Sequence, residues 1–411
     1  MPQTDVLITE SGYENILIGL LKELGYEYTH GSEVPRSSPL YQDVYITEDF
    51  LTTVGRINAE LPRVAIETAL TQLQDLSGGS VVDLNMTFTT YIQDGVPVRY
   101  FVDDEEVYNR VQLLDYHNAK NNLFRVVNQY TFQERETKRP DVILFVNGMP
   151  LVIFELKSPT RDNTDTSEAY AQIQRYLKVI PSIFVPNAFC VLTDLADTRV
   201  GSITAPEDRF MVWKTKDGKT EDSGCGRIGT MIRGMCAKVR LLDLVKNFIC
   251  FDSRQKGKAK IIAGYHQYYA VKKAIERALV AVGSNGDVPE SQRKKIGVFW
   301  HTQGSGKSLS MVFFAHAIIE KLKTSTIVVI TDRNQLDDQL FGQFAACKEF
   351  LHQEPVQARN KRHLLELLNN RKVNGIIFTT MQKFGELKDT YEKFAKEVPA
   401  DILQLLEETQ K

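Results

Sequence analysis

Residues 139–159 read RPDVILFVNGMPLVIFELKSP. Two apolar runs, DVILFV and PLVIFELK, flank Asn147-Gly148, and an Asn-Gly pair between such runs is a strong short-range sign of a β-hairpin, since both turn residues need positive φ. Glu155 and Lys157 stand two apart on the second strand and so project from one face. The hairpin brings Asp141 onto the neighbouring strand. A charged pair on so apolar a strand is costly to bury without a partner or a function. Two carboxylates there can hold magnesium, with the Leu156 carbonyl as a further oxygen, and the ion with Lys157 can activate water and stabilise charge on a phosphodiester under attack. The plainer alternative is a salt-bridged lysine at a strand end.

Outward from the hairpin, Gln172 and Tyr176 in AYAQIQRYLKVIP lie four apart on a predicted helix over 167–179 and share a face. Ile16, Leu17, Leu20, Leu21 and Leu24 fall at helical spacing with Gly25 as the stop, and this first helix carries Glu14, a possible third carboxylate or only a surface residue. Residues 49–74 repeat the helical pattern. From 81 to 155 the texture is of short strands, including VPVRYF after Asp94-Gly95 and FRVVNQYTF. Further strands are expected near 188–193 and 209–214, a loop over Lys214–Gly229 and helices over 230–250. The basic segment Ser253–Lys260 is the expected domain junction. Beyond it KIGVFW, SLSMVFFAHAIIEKL, TIVVIT, a helix from Asn334, and IIFTT alternate strand and helix, which argues for a parallel sheet with crossover helices.

In FWHTQGSGKS a predicted strand, Ile296–Trp300, runs into a glycine loop and then a helix. Gly304 and Gly306 let the backbone turn its amides toward phosphate oxygens at a helix N-terminus, Lys307 neutralises them, and Ser308 ligates magnesium. His301 occupies the first glycine position of GxxxxGK[ST], so the strict pattern fails while TxGxGKS survives. The bland alternative is a glycine turn with an exposed lysine. Gln267 in GYHQYYAV stands upstream, where a lone glutamine is by itself a solvent-facing polar residue. Asp332, Arg333, Thr379 and Thr380 follow or end predicted strands, either lining a ligand crevice or capping helices.

Composition narrows the class. The 411 residues suffice for two or three domains, and 25% charged with 43% hydrophobic residues is the balance of a globular chain. A net charge of -2 argues against coating nucleic acid or anionic membrane with the whole surface, leaving room for a local groove. No run is long and apolar enough to span a bilayer, and the start lacks a secretory pattern, so a cytoplasmic protein without membrane contact is expected. Five scattered cysteines without a CxxC pair are read as reduced thiols.

Asp141, Glu155 and Lys157, followed by Gln172 and Tyr176 as QxxxY, resemble the PD-(D/E)xK core of recombination nucleases. Joined in one chain to a helicase-type phosphate loop, the set resembles the restriction (R) subunit of type I restriction-modification enzymes. The resemblance is carried by FRVVNQYTF, KRPDVILFVNGMPLVIFELK, LTDLADTRVGSITAPEDRFMVWK, GYHQYYAV, HTQGSGKSLSM, VITDRNQLDDQL and FTTMQKF, from about residue 10 to 384. It implies an α/β chain with a PD-(D/E)xK endonuclease domain over 1–252, a mixed sheet flanked by helices, and a first RecA-like parallel α/β motor lobe over 253–411. It further implies ATP-driven translocation and magnesium-dependent cleavage of double-stranded DNA, in a complex with methylation (M) and specificity (S) subunits. By residue, Asp141 and Glu155 would bind magnesium, Glu14 matches the acidic residue of the family's first helix, Lys157 is catalytic, and Gln172 and Tyr176 support the site. Gln267 would read adenine, while Thr302, Gly304, Ser305, Gly306, Lys307 and Ser308 would hold the ATP phosphates. No DEAD/DEAH-type motif occurs between Phe384 and Lys411, so an N-terminal part of a longer motor, without ATP turnover of its own, is expected. A silent scaffold that binds ATP and docks partners, or an anti-phage nuclease-helicase without modification partners, are the competing functions.

Overall fold

The computed structural model describes residues 10–157, 166–194, 197–222, 227–254, 258–283, 295–323, 326–370 and 375–385. The chain divides into two compact units, residues 1–250 with 255–266, and residues 251–254 with 267–411.

The first unit opens with α1 (Glu10–Glu23), β1 (Glu27–His30), α2 (Thr47–Ile57), α3 (Arg63–Gln74) and α4 (Val81–Asp94). A ribbon of β2 (Val96–Val102) and β3 (Glu105–Val111) follows, then β4 (Phe124–Asn128) and the two-residue strands β5 (Phe132–Gln133) and β6 (Thr137–Lys138). The hairpin itself is β7 (Val142–Val146) and β8 (Met149–Leu156), succeeded by α5 (Thr166–Val179), β9 (Phe189–Thr193) and β10 (Thr198–Gly201).

Six strands form one sheet in the order β1-β4-β7-β8-β9-β10. It is mixed: β1 runs parallel to β4 and β8 to β9, while β4–β7, β7–β8 and β9–β10 are antiparallel. The expected Asn147-Gly148 turn is present, with φ of 50° and 76°. Every residue of β7, β8 and β9 is buried, which is why these strands are apolar at almost every position rather than alternating. On one face α5 packs Ala169, Ile173 and Tyr176, with Ile180 just beyond its end, in one core with Ile143, Phe145, Ile153 and Leu192. Each such aliphatic or aromatic side chain contributes roughly 1.5–3 kcal/mol by leaving water.

Four sequence expectations are corrected. Residues 81–94 form a helix rather than a strand, because Ser80 and Asp83 close a capping box that starts α4 and its buried positions Asn85, Phe88, Thr89 and Ile92 follow helical spacing. The helical pattern over 49–74 is two helices, broken at Asn58 and restarted after Pro62, which caps α3. The strand near 209–214 shrinks to a single bridge between Met211 and Val200, because Glu207–Arg209 winds into a 3₁₀ turn and β10 takes the edge of the sheet.

The fourth correction lies in the second unit. Its three-stranded sheet is all parallel, with Ile376–Thr380 between Ile327–Thr331 and Val356–Gln357. The helices Asn334–Ala346 and Lys361–Asn369 fall between strands in sequence, as the alternation implies. Residues 296–300, however, form no strand. They pair with none of these three strands, and a lone extended run has no ladder to hold it. Val298 and Trp300 are 95% and 78% exposed.

Cys190, Cys236, Cys250 and Cys347 are buried. Among the described residues no helix is long and apolar enough to cross a membrane. Cys225 lies outside the described residues, as does the stretch from 386 to 411.

Candidate active site and phosphate loop

β8 ends where β7 begins, so the antiparallel ladder that pairs Val142 with Phe154 sets Asp141 level with Glu155. The Leu156 amide donates to Asp141 Oδ2 at 2.7 Å, and the Lys157 amide donates to the Thr193 carbonyl of β9 at 2.9 Å. These two bonds fix the chain on either side of the charged pair. Lys157 Nζ donates to Glu155 Oε1 at 2.6 Å, while Glu155 Oε2 is buried and takes no hydrogen bond.

Glu155 is 2% exposed. Burial, and then the Asp141 carboxylate beside it, pushes its carboxyl up to about 8; the Lys157 ammonium and the Tyr176 hydroxyl offset this only in part. Tyr176 is raised in turn, first by burial and then by the Glu155 charge, and it also meets the Gln172 side chain. α5 therefore brings Tyr176 to Glu155, with Gln172 beside Tyr176 on the same face. Two crowded carboxylates with one buried oxygen unbonded make a set of hard donors that fits a divalent cation.

Glu14 is held differently. It is 8% exposed, and its oxygens accept from Asn128 Nδ2 at 2.9 Å and Gln129 Nε2 at 2.6 Å. Among the described residues no three His, Cys, Asp or Glu side chains are grouped as an ion would need; both Glu14 oxygens are taken by the two side-chain amides. Asn128 and Gln129 are the residues the sequence reading passed over. Their signal was a polar pair closing the apolar strand FRVVN.

In the second unit Gly306, at φ 75°, caps the helix Lys307–Leu322, and Gly304 has φ 81°. The Thr302 carbonyl accepts from the Ser305 amide and hydroxyl, at 3.3 and 2.8 Å, closing the loop. Lys307 Nζ folds back onto the carbonyls of His301 (2.8 Å) and Thr302 (3.0 Å), and Ser308 follows in the first turn. Gln267 is buried rather than solvent-facing, and its Nε2 donates to the Gly306 carbonyl at 3.0 Å. The structure thus brings Gln267 to the glycine loop. Thr379 and Thr380 are buried in the sheet and face no crevice, whereas Asp332 and Arg333 are exposed. The threonines pack inward because Ile376–Thr380 is the central strand.

Paired carboxylates and a lysine at the ends of the central strands of a mixed sheet, together with a glycine loop opening a helix in a parallel α/β unit, define a nuclease-type unit joined to a nucleotide-binding unit. Comparison with known proteins agrees. Residues 8–209 match the family described as type I restriction enzyme R protein N terminus, and residues 266–411 match the SWI2/SNF2 ATPase family. The type I restriction enzyme HindI endonuclease subunit of Haemophilus influenzae is 36% identical over 392 residues, 92% of this chain and 37% of that protein. A type I restriction enzyme endonuclease subunit of Staphylococcus aureus is 24% identical over 388 residues, again 92% and 37%. The chain belongs to the type I restriction enzyme R proteins and corresponds to their N-terminal part; it spans 37% of the length of these two relatives.

Proposed function

We propose that the chain supplies the DNA-cutting site and the first ATP-binding lobe of a type I restriction enzyme, with the nuclease over 1–252 and the lobe over 253–411. The observation that carries this reading is the meeting of Asp141, Glu155 and Lys157 at the ends of the two central strands, with Glu155 Oε2 buried and unbonded. Asp141 and Glu155 would hold magnesium, which when bound polarises a phosphodiester and lowers the pKa of a water. Lys157, already on Glu155 Oε1, is placed to stabilise charge on the phosphate oxygens. Tyr176, oriented by Gln172, keeps the Glu155 carboxylate aligned. In the lobe, the loop from Thr302 to Gly306 would cradle ATP phosphates, with Lys307 leaving its two carbonyls to reach them, Ser308 beside the ion, and Gln267 bracing the loop while reading the base.

The relatives' names support a restriction complex, and the partners proposed are double-stranded DNA and the methylation and specificity subunits, in the cytoplasm. The test is cleavage of double-stranded DNA with magnesium by the purified chain and its Asp141→Ala and Lys157→Ala variants. Cleavage should vanish in both variants while their melting transitions persist. Cleavage at the parent's rate in either well-folded variant would refute the site.

A further inference from the structure

The proposed reaction leaves Glu14, Asn128 and Gln129 without a task, yet the Glu14 carboxylate accepts from both amide side chains. Glu14 lies 114 residues from Asn128 and 115 from Gln129 in sequence, and both of its oxygens are spent on their side-chain amides. Gln129 has φ 54°, a left-handed backbone that is strained for a residue with a side chain and persists only where its surroundings enforce it. In that conformation its own amide N–H turns onto the Asp141 carbonyl at 3.0 Å. Asn128 is the last residue of β4 and is paired with Val142, the residue after Asp141. The opposite side is equally tight: Gly31 donates to the Asn128 carbonyl at 2.9 Å, and a Cβ on Gly31 would lie 2.5 Å from the Gln129 carbonyl oxygen.

We infer that Gln129 is a positioning residue for Asp141, locked in its left-handed turn by the Glu14 carboxylate, so that Glu14 acts through Gln129 and the Asp141 backbone rather than on the ion. The inference rests on the proposal that Asp141 is a metal carboxylate. The chain of contacts runs Glu14 to the Gln129 side chain, Gln129 N–H to the Asp141 carbonyl, and Leu156 N–H to the Asp141 side chain. Asp141 is thereby held at both its backbone and its carboxylate. Groups that orient a ligand in this way typically change metal affinity by about 10–100-fold when removed.

The test uses the full chain as Gln129→Ala, Glu14→Gln, the exchanged pair Glu14→Gln with Gln129→Glu, and Asp141→Ala. In the exchanged pair the new amide at 14 can accept from Asn128 and donate to the new carboxylate at 129, with net charge unchanged. Three quantities are read: Mn²⁺ affinity by calorimetry without DNA, hydrogen-exchange protection of the residue-129 amide in metal-free protein, and the melting temperature. Gln129→Ala and Glu14→Gln should each weaken Mn²⁺ binding about tenfold or more and lower the amide's protection, and the exchanged pair should restore both. If Gln129→Ala proves unstable, the exchanged pair against Glu14→Gln decides. Unchanged Mn²⁺ affinity in folded Gln129→Ala, beside its loss in Asp141→Ala, overturns the inference and leaves the nuclease site standing. A loss the exchanged pair does not recover also overturns it. Parent-like Mn²⁺ binding by Asp141→Ala overturns the metal site and the inference with it.

Discussion

The Leu156 main-chain amide donates to Asp141 Oδ2 at 2.7 Å, so the residue after one carboxylate fixes the other. This bond keeps the Asp141 and Glu155 carboxyls side by side, and burial together with that neighbouring charge pushes Glu155 up to about 8. A cation that binds between them must expel the Glu155 proton below that pH. Mn²⁺ affinity should therefore rise about tenfold per pH unit between about pH 6 and 8 and level off above, with about one proton released per ion. Calorimetry in buffers of different ionisation heat measures both. A flat profile with no proton release would remove Glu155 from the ligand set.

Lys157 is the counter-charge that limits this rise, bonded to Glu155 at 2.6 Å. Its removal in Lys157→Met pushes the buried carboxyl further above its ordinary 4.5. A group whose folded pKa is raised binds a proton in the native state that the unfolded chain releases. Its contribution is complete below the unfolded value and is lost as pH rises through the folded one. The melting temperature of metal-free Lys157→Met should thus fall in parallel with the parent's between about pH 5 and 7, where both native states hold the proton, and keep falling above about pH 8, where the parent's levels off. Curves that stay parallel above about pH 8 as well would show that the ion pair does not set the Glu155 proton.

Gly148 closes the hairpin against α2. Its carbonyl accepts from the Ile46 amide at 2.9 Å, and a Cβ placed on it would lie 2.3 Å from the Ile46 carbonyl oxygen and 2.9 Å from the Phe50 nitrogen. With φ at 76° the residue is strained by any side chain as well. Gly148→Ala should cost about 2–4 kcal/mol, read from the urea midpoint at unchanged slope. A loss under about 0.5 kcal/mol would mean that the turn relaxes freely.

These residues also mark how far the sequence carried. Asn147-Gly148, Glu155 with Lys157, and Gln172 with Tyr176 were legible because each depends on spacing within one strand, turn or helix. α4 was misread because its β-branched residues, VVDLNMTFTTYI, imitate strand composition, while the informative signal was the Ser80–Asp83 capping box. Residues 296–300 have strand composition, but a strand also needs a neighbour, which composition does not record. The Glu14 contacts were hidden for a related reason. Nothing local links a residue on the first helix to two amides more than a hundred positions away, so a surface glutamate and a third ligand read the same.

Lys307 occupies the glycine loop's own carbonyls, at 2.8 Å from His301 and 3.0 Å from Thr302, and its side chain is otherwise exposed. Bonds to neutral carbonyls are readily exchanged for a charge-assisted one to phosphate, worth about 1.5–3 kcal/mol. Lys307→Ala should weaken binding of a fluorescent Mg-ATP analogue at least about tenfold while leaving the nucleotide-free melting temperature in place. Equal nucleotide affinity in parent and variant would leave the loop as a plain glycine turn.

Lys260 is buried at 4% exposure in the first unit, with Nζ on Asn85 Oδ1 at 2.9 Å and on the Asn187 carbonyl at 2.5 Å. Burial brings it down from 10.5 to about 7, and the nearby Cys190 opposes this. The sign is opposite to that of Glu155. Between the two values the unfolded chain binds a proton that the native state does not, so this group makes the fold more stable as pH rises. Lys260→Met has no such proton. The parent's urea midpoint should therefore gain on that of Lys260→Met from about pH 7 to about pH 9, whatever the gap at pH 7, and the comparison cancels other titrating groups common to both proteins. A gap constant across that range would show that Lys260 stays charged inside the fold, with Asn85 and Asn187 sufficient to solvate the ammonium.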